Sequence, residues 1–235
     1  MVNFWLVAEG TDLTLIDTGL PRHWDQLCAG LEAIGRSVSD IAAVLITHAH
    51  ADHLGLASRV QEASGASVWI HRADTELAAQ PLKARTYARP QRPLLPYLLR
   101  HPAGLAAAAH MLRLGAAKTP PVTAPRHFTD AEQLDVPGRL IAVHVPGHTP
   151  GSTAFLLPCG TAAFTGDALV THDKVAGHLG PCLICLAFTH DGDAAVQSLR
   201  HLASFSAEAV LPGHGEPCHD GLARTAQAAV EYGIH

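Results

Sequence analysis

Long apolar runs, aromatic side chains and clustered positive charge are all scarce in this 235-residue chain. No apolar run approaches the about 18 residues of a membrane span, so the sequence contains no candidate for one. The formal net charge is −5 and the Lys and Arg residues are dispersed, which provides no basic stripe for a phosphate backbone. Aromatic residues make up only 5% of the chain, so we expect the three tryptophans to anchor the core rather than to form a substrate platform.

The five cysteines form no repeating framework, and their odd number indicates reduced thiols. Cys182 and Cys185 have C-x-x-C spacing, but apolar Leu183 and Ile184 lie between them and no second pair follows. We therefore interpret them as buried thiols. The N-terminus has no basic segment followed by a long apolar stretch, so we expect a cytoplasmic protein.

Residues 47–53 have the sequence Thr-His-Ala-His-Ala-Asp-His, which puts four metal-binding side chains within six positions. These side chains are His48, His50, Asp52 and His53. Neutral imidazoles and a carboxylate suit zinc, iron or manganese, and the lack of cysteine among them argues against a closed structural zinc site. The remaining ligands must come from other parts of the chain.

Five apolar segments of strand type each lead into a loop that carries a candidate ligand or a residue that supports one. The segments are residues 13–16, 41–46, 140–145, 161–165 and 207–211. The loops that follow contain, in order, Asp17, His48, His148, Asp167 and His214. Loops at strand ends commonly carry functional residues, so the pattern predicts a site along one edge of a sheet scaffold.

Helical periodicity occurs at residues 24–34, 54–63, 194–205 and 222–232, and the second of these segments continues directly out of the metal motif. Strands alternate with helices in both halves of the chain, 1–75 and 126–235, which indicates an α/β protein with layered sheets and outer helices. Residues 77–125 interrupt this pattern. They are rich in Ala, Leu, Arg and Pro, with a helix predicted at 105–114. Either a lid over the site or a surface helical hairpin is consistent with such an insertion.

The ordered motifs resemble those of the metallo-β-lactamase fold superfamily. The motifs are His48-x-His50-x-Asp52-His53, His148, Asp167 and His214, with Asp17-Thr-Gly19 before them. The resemblance extends from Asn3 to about Gly221, with the insertion as the exception. It implies a single α/β domain over residues 1–235, an αββα sandwich of two mixed β-sheets flanked by helices, with a helical insertion at about 77–125.

The same resemblance implies a dinuclear metal site with two zinc ions per chain, or iron or manganese in their place. The first ion would be held by His48, His50 and His148. The second would be held by Asp52, His53 and His214. Asp167 would bridge both ions, and Asp17 would contact a ligand rather than a metal.

The implied activity is hydrolysis of an ester, thioester, lactone or related carbonyl bond by a hydroxide that bridges the two metals. Asp52 would orient this hydroxide and later pass its proton to the leaving group. We expect a small-molecule substrate as the partner, with neither nucleic acid nor a membrane involved. The sequence does not indicate an oligomeric state.

Differences between this sequence and the motifs of particular enzyme classes narrow the choice of activity within the superfamily. Acyl-homoserine lactonases often have a tyrosine shortly after the bridging aspartate, whereas here Asp167 is followed by Ala-Leu-Val-Thr-His172. Flavodiiron proteins have glutamate where His50 stands. The alternative activity is that of persulfide dioxygenases, which resemble this chain in the His48–His53 tract. Such an enzyme would use one iron at His48, His148 and Asp167 to oxidise a glutathione persulfide with O₂.

Overall fold

Two mixed β-sheets form the centre of the protein, and each is built from one half of the chain. The computed structural model describes residues 2–235. The first sheet has the strand order β1-β2-β3-β4, with bounds Trp5–Glu9, Asp12–Ile16, Ile41–Leu45 and Ser67–Trp69. The second sheet has the strand order β11-β8-β7-β6-β5. Its strands are β5 (Glu132–Gln133), β6 (Ile141–His144), β7 (Thr153–Leu156), β8 (Ala162–Gly166) and β11 (Ala209–Pro212). A separate hairpin consists of β9 (Val170–Asp173) and β10 (His178–Cys182).

Helices cover the outer face of each sheet. On the first sheet these include α1 (Trp24–Ala33), α2 (Ala51–Leu54) and α3 (Ala57–Ser64), and on the second α8 (Gly192–Leu202) and α9 (Leu222–Tyr232). Four short helices fall in and next to the insertion: α4 (Thr75–Ala79), α5 (Ala84–Tyr87), α6 (Leu95–Arg100) and α7 (Ala103–Arg113).

Alternation of side chains along the strands explains the layers. In β2, Leu13 and Leu15 pack into a buried cluster with residues of α1 and α3, whereas Ile16 packs into the cluster between the sheets. Phe155 and Phe164 of the second sheet join Ile16 there. Helix α8 and helix α9 close the opposite outer face. The order helix, sheet, sheet, helix confirms the predicted αββα sandwich.

The strand directions bring the predicted ligand loops to one edge of their sheets. Strand β2 is parallel to β3, so Asp17 and the His48–His53 tract follow the same edge of the first sheet. In the second sheet β6 and β8 are both antiparallel to β7, and β11 is parallel to β8. The loops with His148, Asp167 and His214 therefore also share an edge.

One predicted helix is interrupted. The pattern at residues 54–63 predicts a helix that continues out of the metal motif, but α2 ends at Leu54 and α3 begins at Ala57. The Gly55 N–H donates to the Gly19 carbonyl at 2.9 Å, and the Leu56 N–H donates to Thr18 Oγ1 at 3.0 Å. These long-range hydrogen bonds tie the break in the helix to the loop after β2.

Cys182 and Cys185 are both free and buried, as predicted. Burial raises the pKa of Cys182 to about 12 and raises that of Cys185 further, so both remain thiols at neutral pH. Among residues 2–235, no helix combines the length and apolar character that crossing a bilayer requires.

Gly55→Ala should destabilise the protein by about 1–3 kcal/mol, because the new Cβ would collide with the backbone of Gly19 and Leu20. Gly30, inside α1, is a matched control because an added Cβ there meets nothing within 4 Å. Gly30→Ala should stabilise by about 0.5–1 kcal/mol through helix propensity. Urea denaturation of both variants measures the difference, and equal stability of the two would contradict the close contact.

Candidate metal centre

The structure brings all seven sequence-predicted ligands into one cluster at the sheet edge. Three overlapping groups have ligand atoms that all lie within 4.8 Å of one another, and they are His48/His50/His148, His48/His53/Asp167 and Asp52/His53/His214. The seven side chains come from four loops that follow strands of two different sheets and from the short helix α2. The cluster is therefore a product of the whole sandwich rather than of one motif.

Three histidines form the first part of the cluster. His148 Nε2 lies 3.1 Å from His48 Nε2 and 2.9 Å from His50 Nδ1. The rings of His48 and His148 are nearly perpendicular, with an interplanar angle of 83°. Three ring nitrogens thus face one small volume, as they do around a tetrahedral metal with one open position.

Asp167 lies between the first three histidines and the rest of the cluster. Its Oδ2 is 3.6 Å from His148 Nε2 and 3.4 Å from His214 Nε2, and its Oδ1 is 3.3 Å from His53 Nε2. Asp52 Oδ2 is 3.3 Å from His214 Nε2. One carboxylate therefore contacts both halves of the cluster.

The donor set fits a metal centre. Among the described residues, His53 Nε2, His148 Nδ1 and Asp167 Oδ1 are buried side-chain atoms that lack a hydrogen-bond partner. Leaving such a group unpaired in the interior costs about 1–3 kcal/mol. A cation held between His53 Nε2 and Asp167 Oδ1 would satisfy two of these atoms at once.

Burial and charge separate the histidines into two classes. Burial lowers the pKa of His148 to about 3 and also lowers the pKa values of His48 and His50, so these rings are neutral. Burial also opposes the charged form of His214, but Asp167 and Asp52 outweigh it and raise the pKa of His214 to about 10. The same carboxylates, with Asp17, raise the pKa of His53. A metal ion bound by His53 and His214 would take the place of the protons that give these two rings their charge.

Asp17 contacts the candidate ligand His53, which is the position that the resemblance implies for this aspartate. The His53 Nδ1–H group donates to Asp17 Oδ2 at 2.8 Å, which turns the Nε2 lone pair towards the cluster. Asp17 Oδ1 accepts from the Thr47 N–H at 2.9 Å. Asp17 has φ = 55°, an unusual value for a residue other than glycine.

A cavity of about 330 Å³ opens beside the cluster. The ligands His50, Asp52, His148, Asp167 and His214 line one side of it. The other side is largely apolar and includes residues of the insertion, namely Pro81, Ala84, Ala88, Ala107, Met111 and Leu114. The inner face of the insertion therefore lies over the site, as the lid interpretation requires.

Other histidines near the site have distinct positions. His172 lines the cavity, together with His23 and His110, which the sequence did not single out as site residues. His178 stacks on Tyr232 with ring centroids 3.6 Å apart, and His144 stacks on His71 at 3.9 Å. His172 therefore lines the cavity, whereas His178, six residues later, does not.

The Metallo-beta-lactamase superfamily model matches residues 1–214. The chain belongs to this superfamily. Among its curated relatives is the uncharacterized protein YobT of Bacillus subtilis, 29% identical over 97% of this chain and 88% of that protein. The probable metallo-hydrolase YflN of the same organism is 26% identical over 90% of this chain and 78% of its own length. Membership together with such relatives confirms an enzyme of the metallo-hydrolase class.

Two further proteins similar to this chain carry more specific names. Atrochrysone carboxyl ACP thioesterase of Aspergillus fumigatus is 27% identical over 91% of this chain, which spans 50% of that protein. The crystal structure of TTHA1623 in a di-iron-bound form has 27% identity and a TM-score of 0.67, and the match covers 97% of this chain and 94% of that one.

Asp74 supports the loops that carry the candidate ligands, and the sequence patterns did not identify it. It is fully buried, and its Oδ2 accepts from the Ala49 N–H at 3.0 Å and the Thr149 hydroxyl at 2.7 Å. Its Oδ1 accepts from the Gly151 N–H at 2.7 Å. Ala49 lies between His48 and His50, and Thr149 follows His148, so one carboxylate connects the two loops that carry the first three histidines. The sequence signal for Asp74 is its place in a polar turn that follows the apolar segment 68–70, as Asp17 follows the apolar segment 13–16.

Asp74→Asn should lower the metal affinity of this enzyme about 10–100-fold, because an amide group would face at least one of the three donors and displace the ligand loops. Competition with a chromophoric chelator measures the affinity. Asp173→Asn is the matched control, since Asp173 is also buried and accepts from the backbone N–H groups of Val175, Ala176 and Cys185. Both variants should lose stability, but only Asp74→Asn should lose metal, and equal metal affinity in the two would refute the positioning role.

Proposed function

We propose that this protein hydrolyses an ester, thioester, lactone or related carbonyl compound with the help of two zinc ions. The observation that carries the proposal is the convergence of five histidines and two aspartates beside an apolar cavity. Iron is the alternative metal, in keeping with the di-iron form of TTHA1623. Neutral imidazoles and carboxylates accept either ion.

The proposed ligands divide into two sets that share one residue. His48, His50 and His148 would form the first set and Asp52, His53 and His214 the second, and Asp167 would belong to both. Two divalent ions in this position would polarise a carbonyl group and lower the pKa of a shared water, so that hydroxide is available near neutral pH.

Asp52 is the proposed proton carrier. It lines the cavity, and its carboxylate is 3.3 Å from the His214 ring. Burial by itself would raise the pKa of Asp52, but His53 and His214 lower it below the usual range, so the group is ionised. An ionised carboxylate at the cavity wall would accept the proton of the attacking water and deliver it to the leaving oxygen or sulfur atom.

The cavity supports a substrate with an apolar acyl group. Ala84, Ala88, Ala107 and Met111 present small or flexible apolar surface opposite the ligands. Such a wall would bury an acyl chain and hold its carbonyl carbon near the metal-binding side chains. The thioesterase named above supports thioesters as members of this substrate class. We also propose a cytoplasmic location, for which the free cysteines are the supporting observation.

His50→Ala and His53→Ala should each remove metal and lower kcat/KM by more than about 100-fold. Mutation of a residue that only hydrogen-bonds to a ligand already costs about 10–100-fold in metal affinity or activity, so loss of a ligand itself should cost more. Elemental analysis of protein purified without added metal should give two zinc ions per wild-type chain. His219→Ala, at an exposed position away from the cluster, should leave both metal content and activity unchanged. Full metal content in His50→Ala would refute the ligand assignment, and a single iron with oxygen uptake would support the persulfide dioxygenase alternative instead.

Ala107→Phe should narrow the cavity and raise KM for long acyl esters by about tenfold or more, while acetyl esters are spared, because extra side-chain volume displaces the methylenes of the substrate. A series of p-nitrophenyl esters from acetate to octanoate measures this dependence. Ala108→Phe is the matched control, since Ala108 is the next residue of α7 and is exposed. An unchanged chain-length profile in Ala107→Phe would exclude this wall as the acyl site.

A further inference from the structure

Residues 77–125 differ sharply in charge from the rest of the protein. The segment has no Asp or Glu and contains seven of the 16 Lys and Arg residues: Lys83, Arg85, Arg89, Arg92, Arg100, Arg113 and Lys118. The other residues carry nine Lys and Arg against all 21 Asp and Glu. A segment with formal charge +7 is therefore attached to a body with formal charge −12, and this difference is hidden in the net charge of −5.

The same segment exposes most of the large apolar side chains on the described surface. Five leucines lie there with high fractional exposure: Leu82 at 70%, Leu95 at 65%, Leu99 at 75%, Leu105 at 55% and Leu112 at 63%. Three of them are followed directly by an exposed cation, in the pairs Leu82–Lys83, Leu99–Arg100 and Leu112–Arg113. Exposed apolar and cationic side chains are thus neighbours along the chain at three places in this segment.

Helix α7 separates this surface from the cavity. Leu105 and Leu112 are seven residues apart and so lie on the same face of the helix. Ala107, Met111 and Leu114 lie on the opposite face and line the cavity. In α6, Leu95 and Leu99 are four apart and exposed, whereas Leu98 is directed inward towards Gly104 of α7. Helix α7 therefore has one face towards the cavity and an opposite face towards solvent, and α6 packs on α7 through Leu98 with Leu95 and Leu99 exposed.

We propose that the outer face of residues 77–125 attaches the protein peripherally to an anionic lipid surface. The exposed leucines would enter the boundary between headgroups and acyl chains, and the cations would pair with anionic headgroups. The acidic body is repelled by the same surface, so it would face away from the lipid. This inference goes beyond the proposed hydrolysis and departs from the expectation of no membrane partner, which was based on the lack of a spanning segment.

Charge and shape favour lipid over two other occupants. A second copy paired through the same face would bring +7 against +7, because a two-fold interface juxtaposes identical patches. An acidic protein would complement the cations, but the exposed leucines are distributed over three separate segments of the insertion, at residue 82, in α6 and in α7. A fluid surface accepts separated apolar side chains without a complementary shape.

Sedimentation of the full chain with lipid vesicles tests the proposal. The protein should bind vesicles made of equal parts phosphatidylcholine and phosphatidylglycerol, should bind vesicles of phosphatidylcholine alone at least about tenfold more weakly, and should be released by added salt. The double variants Leu95→Ser/Leu99→Ser and Arg92→Glu/Arg100→Glu should each lower the partition coefficient about tenfold or more. Thermal melting verifies that the variants remain folded.

Matched controls lie outside the segment. Ile34→Ser removes an apolar side chain of 57% exposure, and Arg224→Glu reverses a charge at an exposed position of α9, and both should bind vesicles as the wild type does. The proposal is overturned if the wild type does not sediment with the anionic vesicles, or if the segment variants bind as tightly as the controls. It is also overturned if light scattering shows a dimer that Leu95→Ser/Leu99→Ser dissociates, since the face would then be covered by a second copy.

Discussion

Five imidazoles and two carboxylates converge in one largely buried volume, and both sheets are arranged to hold them there. Without a cation, ring nitrogens face one another at 2.9–3.1 Å and buried acceptors are left unpaired. Such an arrangement is costly, so the surrounding structure must hold it in place. The two sheets do this by ending the strands that precede the ligand loops along one edge, where a bound metal ion would offset the cost.

Two buried carboxylates transmit the rigidity of the sheets to the ligands. Asp17 holds His53 and Thr47 within the first half of the chain, and Asp74 connects the His48–His50 backbone to the loop after His148 in the second half. The second connection matters more for the site as a whole, because His148 belongs to a different sheet from His48 and His50. Precise placement of ligands on rigid elements is what a two-metal hydrolytic site requires.

The insertion adds two properties that the sandwich lacks. Its inner face supplies small apolar side chains to the cavity wall and so bears on the choice of acyl group. Its outer face combines exposed leucines with an uncompensated positive charge, in contrast to the acidic body. Helix α7 has both properties, so a lipid surface and the substrate cavity would lie on opposite sides of this one helix.

Sequence patterns predict the α/β class, the metal-binding tract His48–His53 and the strands that precede each ligand loop, because periodicity and spacing are local properties. The resemblance to a known superfamily adds the αββα sandwich and the full set of ligands. Tertiary structure alone decided the break at Gly55, the role of Asp74 and the face of α7 that meets the cavity. Each of these depends on groups far apart in the chain: Gly19 contacts Gly55, Gly151 contacts Asp74, and the ligand loops meet only when both sheets are packed. Local patterns cannot specify such contacts, since burial and hydrogen-bond partners are set by the packed sandwich.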